Sequence, residues 1–378
     1  MNTSDDDKLI DWNNELSTNY IVNDVFLGLY LILGIFGNVV VIIIYSFRMK
    51  KKKDDRYFIP FLAVMDLFAC ASRSSLELAM NINPVNFRGS EMCKALWFPT
   101  NVSAVSSIFL LLVIAVQRYL KICRPFGPQM TLFWKQAFLL ATVVIAVGFS
   151  IPLIFYNDEI EVKNSTNNVT GCVCDVDVER YYGTGFLTYT IISIISSFSI
   201  MLALMICNAL IGRQIYIQTK AKIARINQNQ INRSRVSSTL PLVLMNIAPD
   251  ISENVSVSET TKLNNNNLTN SETDTKSIRK MSFAHRYSFM FMAIGIAFII
   301  SYVPRLIVLM VSLRDPKFFG KLSPPTLAFV AFIREMNVVN NVVNPFIYGF
   351  FDRRFRKETK NCFVNMNETE CRCVMIFE

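Results

Sequence analysis

The stretch LLVIAVQRYLKIC, residues 111–123, is an apolar run that ends on Gln117, Arg118 and Tyr119. A guanidinium group is costly in a hydrocarbon interior, so an arginine in such a run belongs where lipid gives way to water. The run therefore predicts a membrane helix, and Arg118 indicates the depth at which that helix reaches the water boundary.

The whole chain has the composition of a membrane protein. Of its 378 residues, 52% are hydrophobic and only 18% are charged, which is too apolar for an ordinary soluble domain. Runs of roughly 20 mostly apolar residues, each long enough to cross a bilayer, recur along it. The predicted fold class is an all-α membrane protein, a bundle of seven transmembrane helices. The spans are expected at about 25–46, 58–80, 95–121, 132–156, 185–212, 286–312 and 325–350.

The basic residues predict how the bundle is oriented. Lysine and arginine accumulate in the cytosolic connections of membrane proteins. Most of the 38 Lys and Arg residues lie in four alternate segments, 47–57, 118–136, 212–286 and 351–378. We therefore expect a multi-pass protein of the plasma membrane with an extracellular N-terminus and a cytoplasmic C-terminus. The net charge of +9 follows from this orientation and requires no nucleic-acid partner.

Three regions follow from this topology: an extracellular segment 1–24, a transmembrane domain 25–350 and a cytoplasmic tail 351–378. Within the domain, the third inner loop, 216–283, is polar and contains NQNQ and NNNN tracts, a composition typical of disorder.

The tail begins FFDRRFRKETKNC, in which Phe351, Phe355 and Cys362 fall within about 40° on a helix. This pattern predicts a short amphipathic helix after the seventh span, lying on the membrane, with Cys362 as a palmitoylation site. The alternative is an unmodified thiol in a reducing compartment.

The outer surface carries candidate modification sites. Cys93 precedes the third span, and the loop VTGCVCDVD supplies Cys172 and Cys174. We expect Cys93 to form a disulfide bond with one of these two. The sequence leaves the choice open, because residues two apart share a face of a strand. Motifs for N-glycosylation on the predicted outside occur at Asn2, Asn164 and Asn168.

Polar residues form single stripes along three spans. On the second span Asp66, Arg73 and Glu77 stand at i, i+7 and i+11, within about 40° of one another. Because polar groups are costly in lipid, the stripes should face the bundle interior. There they can form a functional site, or they can serve only to hydrogen-bond one helix to another. Comparable stripes are Thr100, Ser103 and Ser107 on the third span and Arg334, Asn337, Asn341 and Asn344 on the seventh.

Together these features resemble the rhodopsin-like (class A) G-protein-coupled receptors, of the neuropeptide-receptor type. The resemblance runs from about residue 25 to 362. It rests on Gly37-Asn38, LAVMD ending in Asp66, Cys93, Arg118-Tyr119, FIISYVP and NPFIY with the amphipathic helix after it.

The resemblance implies signalling partners: heterotrimeric G proteins, arrestin, receptor kinases and membrane lipid. It also implies that Gln117 stands where the family usually has Asp or Glu. That acid helps to hold the arginine at rest, so its absence predicts raised ligand-independent activity. Residues implied in coupling and activation are Gln117, Arg118, Tyr119, Phe298, Tyr302, Pro304, Asn344, Pro345 and Tyr348.

The resemblance further implies an allosteric sodium ion at Asp66, with Ser107, Asn340 and Asn341 completing an oxygen-rich site. No other cofactor is expected. Tyr302 stands where the family usually has tryptophan before Pro304. Both Pro304 and Pro345 lie within spans and predict kinks, either fixed or able to pivot.

The candidate ligand site combines charges of both signs in the outer halves of the spans, which suits a zwitterionic peptide. The alternative is that Arg73 and Glu77 simply pair with each other. Residues 325–350 contain no lysine, so a retinal Schiff base is excluded. The candidate residues are Arg73, Glu77, Thr100, Asn101, Arg305, Arg334 and Glu335.

Other classes of function are less well supported. An enzyme is not expected, because the single histidine, His285, has no acid and nucleophile beside it. A transporter or channel would often show paired repeats, and none is visible. A receptor for a lipid or other small molecule and a ligand scavenger without signalling remain alternatives; Arg118 and Tyr119 argue against the scavenger.

Overall fold

The computed structural model describes residues 3–49, 56–164, 168–176, 184–245, 258–315 and 318–364. In these ranges a helical bundle carries one small antiparallel sheet of β1 and β2. The helices are α1 (Thr3–Thr18), α2 (Ile21–Ile43, continued by a π-helical turn, Ile44–Arg48), α3 (Ile59–Ile82), α4 (Ser90–Cys123), α5 (Leu132–Tyr156), α6 (Thr184–Met245), α7 (Ser258–Arg314), α8 (Pro324–Glu335), α9 (Val338–Phe351) and α10 (Arg353–Val364). The strands are β1 (Asn157–Lys163) and β2 (Thr170–Val176), and a 3₁₀ turn spans Phe319–Lys321.

The first six spans correspond to α2 through α7. Among the described residues, these are the helices long and apolar enough to cross a membrane. Their outward faces expose large apolar side chains, such as Phe68, Leu140 and Ile195, as expected for surfaces that contact lipid. The predicted spans are confirmed to within a few residues at most of their ends.

The seventh span consists of two helices, α8 and α9, that meet at Met336 and Asn337. Around this junction the backbone hydrogen bonds join residues three apart instead of four. The amides of Met336, Val339 and Asn340 donate to the carbonyl oxygens of Ile333, Met336 and Asn337, at 3.1 to 3.3 Å. Such a tightened turn interrupts the α-helical bonding pattern. The seventh span therefore follows one path, but its α-helical hydrogen bonds are interrupted beside the polar stripe that begins at Arg334.

The first and seventh spans approach each other closely. A side chain at Gly37 would bring its Cβ within 2.9 Å of Pro345 Cγ, so this contact requires glycine. Next to it, Asn38 Nδ2 donates to the carbonyl oxygens of Gly34 at 2.9 Å and Asn341 at 3.0 Å. The Gly37-Asn38 pair thus permits the close approach and bonds the two helices across it.

At the end of the bundle that is predicted to be extracellular, called the outer end below, α1 packs on the loops. Leu9 and Trp12 contact Val85 and Val169, and the Asn13 side chain donates to the Ile82 carbonyl at 3.1 Å and accepts from the Val85 amide at 3.4 Å. For the extracellular segment no secondary structure was assigned from the sequence. The sequence signal for this helix is the apolar stripe of Leu9, Trp12 and Leu16, at i, i+3 and i+7.

Two sequence predictions for the inner side differ from the structure. The third inner loop, expected to be disordered, is helical over 216–245 and 258–283, while 246–257 lies outside the described residues. The stretch 213–240 contains neither glycine nor proline, so nothing in it terminates the helix.

The other difference concerns α10, whose apolar face was expected on the membrane. Phe355 is instead buried against Tyr45 and Tyr348, with ring centroids 5.5 and 6.4 Å away. Cys362 is half-buried against the same cluster. The bundle itself covers this face, because the chain turns sharply at Asp352.

Candidate functional site

The outer half of the bundle holds a buried ionic cluster centred on Glu77. This carboxylate is fully buried and pairs with Arg73 at 2.5 Å and with Arg334 at 3.1 Å, joining the second span to the seventh. The Arg73 guanidinium also lies over the Trp97 ring, 5.5 Å from its centroid. The pairing of Arg73 with Glu77, foreseen as the simpler alternative, is present, and Arg334 extends it between helices.

Two cavities adjoin this cluster. The inner one, of about 50 Å³, lies among the second, third, sixth and seventh spans and includes Arg73, Trp97 and Tyr302 in its wall. The outer one, of about 340 Å³, lies between the fifth, sixth and seventh spans beneath β2. Arg305 lines both cavities, so its side chain stands where they meet.

The predicted ligand residues divide into three groups. Arg73, Thr100, Asn101 and Arg305 line the inner cavity, and Arg305 and Arg334 line the outer one. Asn101 also donates to Ser150 Oγ at 2.9 Å, which ties it to the fourth span. Glu77 and Glu335 line neither cavity and are 0% and 1% exposed, so a ligand would meet the arginines and not the buried acids behind them.

The inner half of the bundle contains a second polar centre at Asp66. Its carboxylate accepts from Ser107 Oγ at 2.7 Å and from Asn344 Nδ2 at 2.6 Å. The predicted site grouped Asp66 with Ser107, Asn340 and Asn341. Ser107 does contact the carboxylate, but Asn340 donates to Asn341 at 3.3 Å instead of to Asp66. The carboxamide oxygens of Asn340 and Asn344 are buried without a hydrogen-bond partner, which leaves oxygen donors suited to a small cation.

The side chain of Arg118, near the end of α4, is turned into the bundle and is 3% exposed; its position at the water boundary stays a prediction. The guanidinium lies over the ring of Phe291 on the sixth span, 4.5 Å from the centroid. A cation over an aromatic face is stabilised without a carboxylate. This contact explains how the third span can hold an arginine beside Gln117, and it links the third span to the sixth.

The aromatic residues near Pro304 form a stacked pair. The rings of Phe298 and Tyr302 lie 5.2 Å apart, and Tyr302 Oη approaches Ser197 Oγ of the fifth span at 3.5 Å. The contacts of Tyr119 are with Ile122, Ile211 and other apolar side chains at the inner end of the fifth span.

A buried polar cluster that was not predicted from the sequence surrounds Asp352, which precedes α10. The carboxylate accepts from Tyr45 Oη at 2.8 Å and from Tyr287 Oη at 2.9 Å, and it pairs with Arg56 at 3.3 Å. It also accepts from the backbone amides of Arg354 and Phe355, as an N-terminal capping residue does. One carboxylate thus joins the first span, the first inner loop, the sixth span and α10.

On the outer surface the structure selects between the two disulfide partners. Cys93 is bonded to Cys174, with Cα atoms 5.7 Å apart, and Cys172 is a free thiol. The backbone of Cys172 is bonded to the loop before the third span, through Val85 and Phe87. Burial and the neighbouring Glu159 carboxylate raise the pKa of the Cys172 thiol to about 11, so it stays protonated at neutral pH.

We expect Cys174→Ser to reduce the amount of folded protein strongly and Cys172→Ser to leave it near the wild-type level. The Cys93–Cys174 bond closes a loop of 81 residues, which stabilises the fold by roughly 4.5 kcal/mol in the chain-entropy model. Antibody labelling of intact cells measures the surface level. Equal loss in both variants would contradict the pairing.

The predicted modification sites remain predictions. Asn164 and Asn168 lie in the connection between β1 and β2, where Asn168 is exposed and has a positive φ of 57°. Asn2 lies outside the described residues.

Comparison with known proteins gives one consistent result. A family model described as "7 transmembrane receptor (rhodopsin family)" matches residues 37–348. The cholecystokinin receptor of Xenopus laevis is 24% identical over 90% of this chain and 76% of its own. Neuropeptide FF receptor 2 of Mus musculus is 24% identical over 93% of this chain and 77% of its own. The crystal structure of squid rhodopsin superimposes with a TM-score of 0.64 at 16% identity, covering 93% of this chain and 87% of that one.

Proposed function

Because this chain belongs to the rhodopsin family of seven-transmembrane receptors, we propose that it binds an extracellular neuropeptide and activates heterotrimeric G proteins. The relatives named for cholecystokinin and neuropeptide FF are receptors for peptides, and they match nearly the whole chain. A receptor for a lipid or small molecule and a scavenger without signalling are the competing outcomes.

The observation that carries the peptide proposal is the pair of cavities that meet at Arg305. The outer cavity has room for one or two side chains, and its walls include the apolar Leu187 and Val308 together with the charged Arg305, Arg334 and Asp175. A peptide offers apolar side chains, amides and charges of both signs, which match such a wall. The protein is a multi-pass membrane protein, and we assign these cavities to its extracellular side.

The same proposal covers the inner surface and the partners there. G proteins, arrestin and receptor kinases would meet the inner ends of the third, fifth and sixth spans in the cytoplasm of cells that carry the receptor at the plasma membrane. Arg118 and its contact with Phe291 stand at this end of the bundle.

A sodium ion at Asp66 is part of the proposal. The carboxylate with Ser107, and the unpartnered carboxamide oxygens of Asn340 and Asn344 nearby, supply oxygen atoms of the type that sodium prefers. When bound, the ion would neutralise a buried negative charge. We expect millimolar sodium to stabilise the purified receptor and Asp66→Asn to remove that stabilisation.

The function is tested by measuring G-protein dissociation in cells at matched surface expression, first without ligand and then against a neuropeptide library, with each Gα class read separately. A response that Arg334→Ala and Arg305→Ala weaken supports a peptide in the described cavities. Silence in every Gα class, with the receptor demonstrably at the surface, would favour a scavenger or a ligand that is not a peptide.

We expect Gln117→Asp to lower ligand-independent signalling severalfold. An aspartate beside Arg118 adds a charge-assisted partner to the contact with Phe291, and this stabilises the resting state. The measurement is G-protein dissociation without ligand at equal surface level. Gln136→Asp, at an exposed position on the fourth span, is the control for an added acid. Unchanged basal signalling in Gln117→Asp would contradict the role given to Gln117.

A further inference from the structure

Arg305 differs from the two other arginines of the outer site in its partners. Arg73 and Arg334 both pair with Glu77. Arg305 is half-buried at the meeting point of the two cavities, and in the part of the chain that the structure describes no carboxylate lies within ion-pair distance of it. A partly buried guanidinium without an anion is an unfavourable arrangement unless something else supplies the charge.

The wall of the inner cavity contains two residues whose buried hydrogen-bond donors lack acceptors, and one buried acceptor, Asn337 Oδ1, that lacks a donor. The indole Nε1 of Trp97 and the Nε of Arg73 are buried without a hydrogen-bond partner. The Arg73 side chain is itself only 6% exposed, and it lines this cavity. Buried donors are nearly always satisfied in folded proteins, so these groups indicate an acceptor that enters from outside.

The charge balance of the site favours an anion. Arg73, Arg305 and Arg334 provide three positive charges, and the buried Glu77 and Glu335 provide at most two negative ones. Asp175 on β2 lines the outer cavity but not the inner one, and it interacts electrostatically with Arg334, so it does not supply an anion to Arg305 at the inner cavity. One carboxylate supplied by a ligand would neutralise the remaining positive charge, that of Arg305.

The two cavities differ in size and in the polarity of their walls. The inner cavity, about 50 Å³, has room for a group of a few atoms, whereas the outer one, about 340 Å³, can take a whole side chain. The outer wall includes Phe186, Leu187 and Leu309. An occupant of both would carry an apolar group next to a small polar one.

We infer that the ligand carries a carboxylate that pairs with Arg305 at the entrance of the inner cavity, with an apolar side chain adjacent to it in the outer cavity. This inference rests on the proposed function in placing a ligand in these cavities. The carboxylate can come from the C-terminus of a peptide or from an Asp or Glu side chain, since both have the same chemistry.

The test uses two small probes of the same shape, 3-phenylpropionate and 3-phenylpropionamide, with the full-length receptor purified in lipid nanodiscs. We expect the acid to bind at least tenfold more tightly than the amide. Arg305→Gln should reduce this preference to less than twofold, and Arg305→Lys should keep part of it. Arg314→Gln, an exposed arginine on the same helix outside both cavities, should leave the preference unchanged.

Equal binding of the two probes to the wild-type receptor, or a preference for the acid that persists in Arg305→Gln, would overturn the inference. Neither outcome depends on G-protein signalling, so failure here is distinct from failure of the peptide screen. For an active peptide, replacing the C-terminal acid by an amide, and each Asp by Asn or Glu by Gln, identifies which carboxylate Arg305 binds.

Discussion

Replacement of Glu77 by glutamine is expected to remove most of the receptor from the cell surface. Glu77 is fully buried and is the shared partner of Arg73 and Arg334. Glutamine has nearly the same shape but no charge, so the variant would hold the buried guanidinium of Arg73 and the half-buried one of Arg334 without the anion that they share. Breaking a buried ion pair by removing one partner typically costs about 3–5 kcal/mol.

A loss of this size is comparable to the whole stability margin of a typical domain, about 5–15 kcal/mol. Surface labelling and the unfolding temperature of the detergent-solubilised protein measure the effect. Glu91→Gln, at an exposed position in the first turn of α4, is the matched control and should behave as wild type. An unfolding temperature for Glu77→Gln equal to that of wild type would show that the cluster contributes nothing to stability.

Tyr287→Phe is expected to raise ligand-independent signalling about tenfold or more. The tyrosine hydroxyl on the sixth span donates to Asp352 at 2.9 Å and contacts Arg56, whose guanidinium lies 4.9 Å from the tyrosine ring centroid. If the inner part of the sixth span pivots at Pro304, it can move away from the bundle only when this bond breaks. A hydrogen bond to a charged group is worth about 1.5–3 kcal/mol, and 1.4 kcal/mol changes an equilibrium tenfold.

Phenylalanine removes the hydroxyl and keeps the ring, so the packing of the inner core should survive. Basal G-protein dissociation at matched surface expression measures the effect. Tyr216→Phe, at a position of α6 that is 67% exposed and lies beyond the fifth span, removes a hydroxyl without touching Asp352. Tyr216→Phe should match wild type. If the basal activity of Tyr287→Phe also equals that of wild type, the hydrogen bond from Tyr287 to Asp352 does not restrain the sixth span.

The sequence predicted the features that depend on local pattern. The spans follow from apolar length, and the buried stripe of Asp66, Arg73 and Glu77 follows from helical spacing. The sequence left two candidate disulfide partners for Cys93. Cys172 and Cys174 are two residues apart and share a face of a strand, so the alternation of side chains could not distinguish them. Arg305 and Arg73 were predicted as ligand-binding residues from their depth alone; both line the inner cavity, and their binding of a ligand stays a prediction.

The features that escaped prediction join residues far apart in the chain. Asp352 contacts Tyr45 and Tyr287, which are separated from it by 307 and 65 residues, and one sequence carries no signal for such pairs. The inward turn of Arg118 depends in the same way on Phe291. The docking of α1 on Val85 could have been anticipated only in part, since its apolar stripe predicts a helix without indicating the surface it covers.

The interrupted seventh span has a consequence for how the protein is made. At 1.5 Å per residue, α8 and α9, with 12 and 14 residues, are roughly 18 and 21 Å long, so neither alone spans a hydrocarbon core of about 30 Å. Both also carry polar side chains, among them Arg334 and Asn344, whose partners Glu77 and Asp66 lie on the second span. During biosynthesis the last span should therefore enter the bilayer as one unit, and only after the helices that bind its polar residues are already in place.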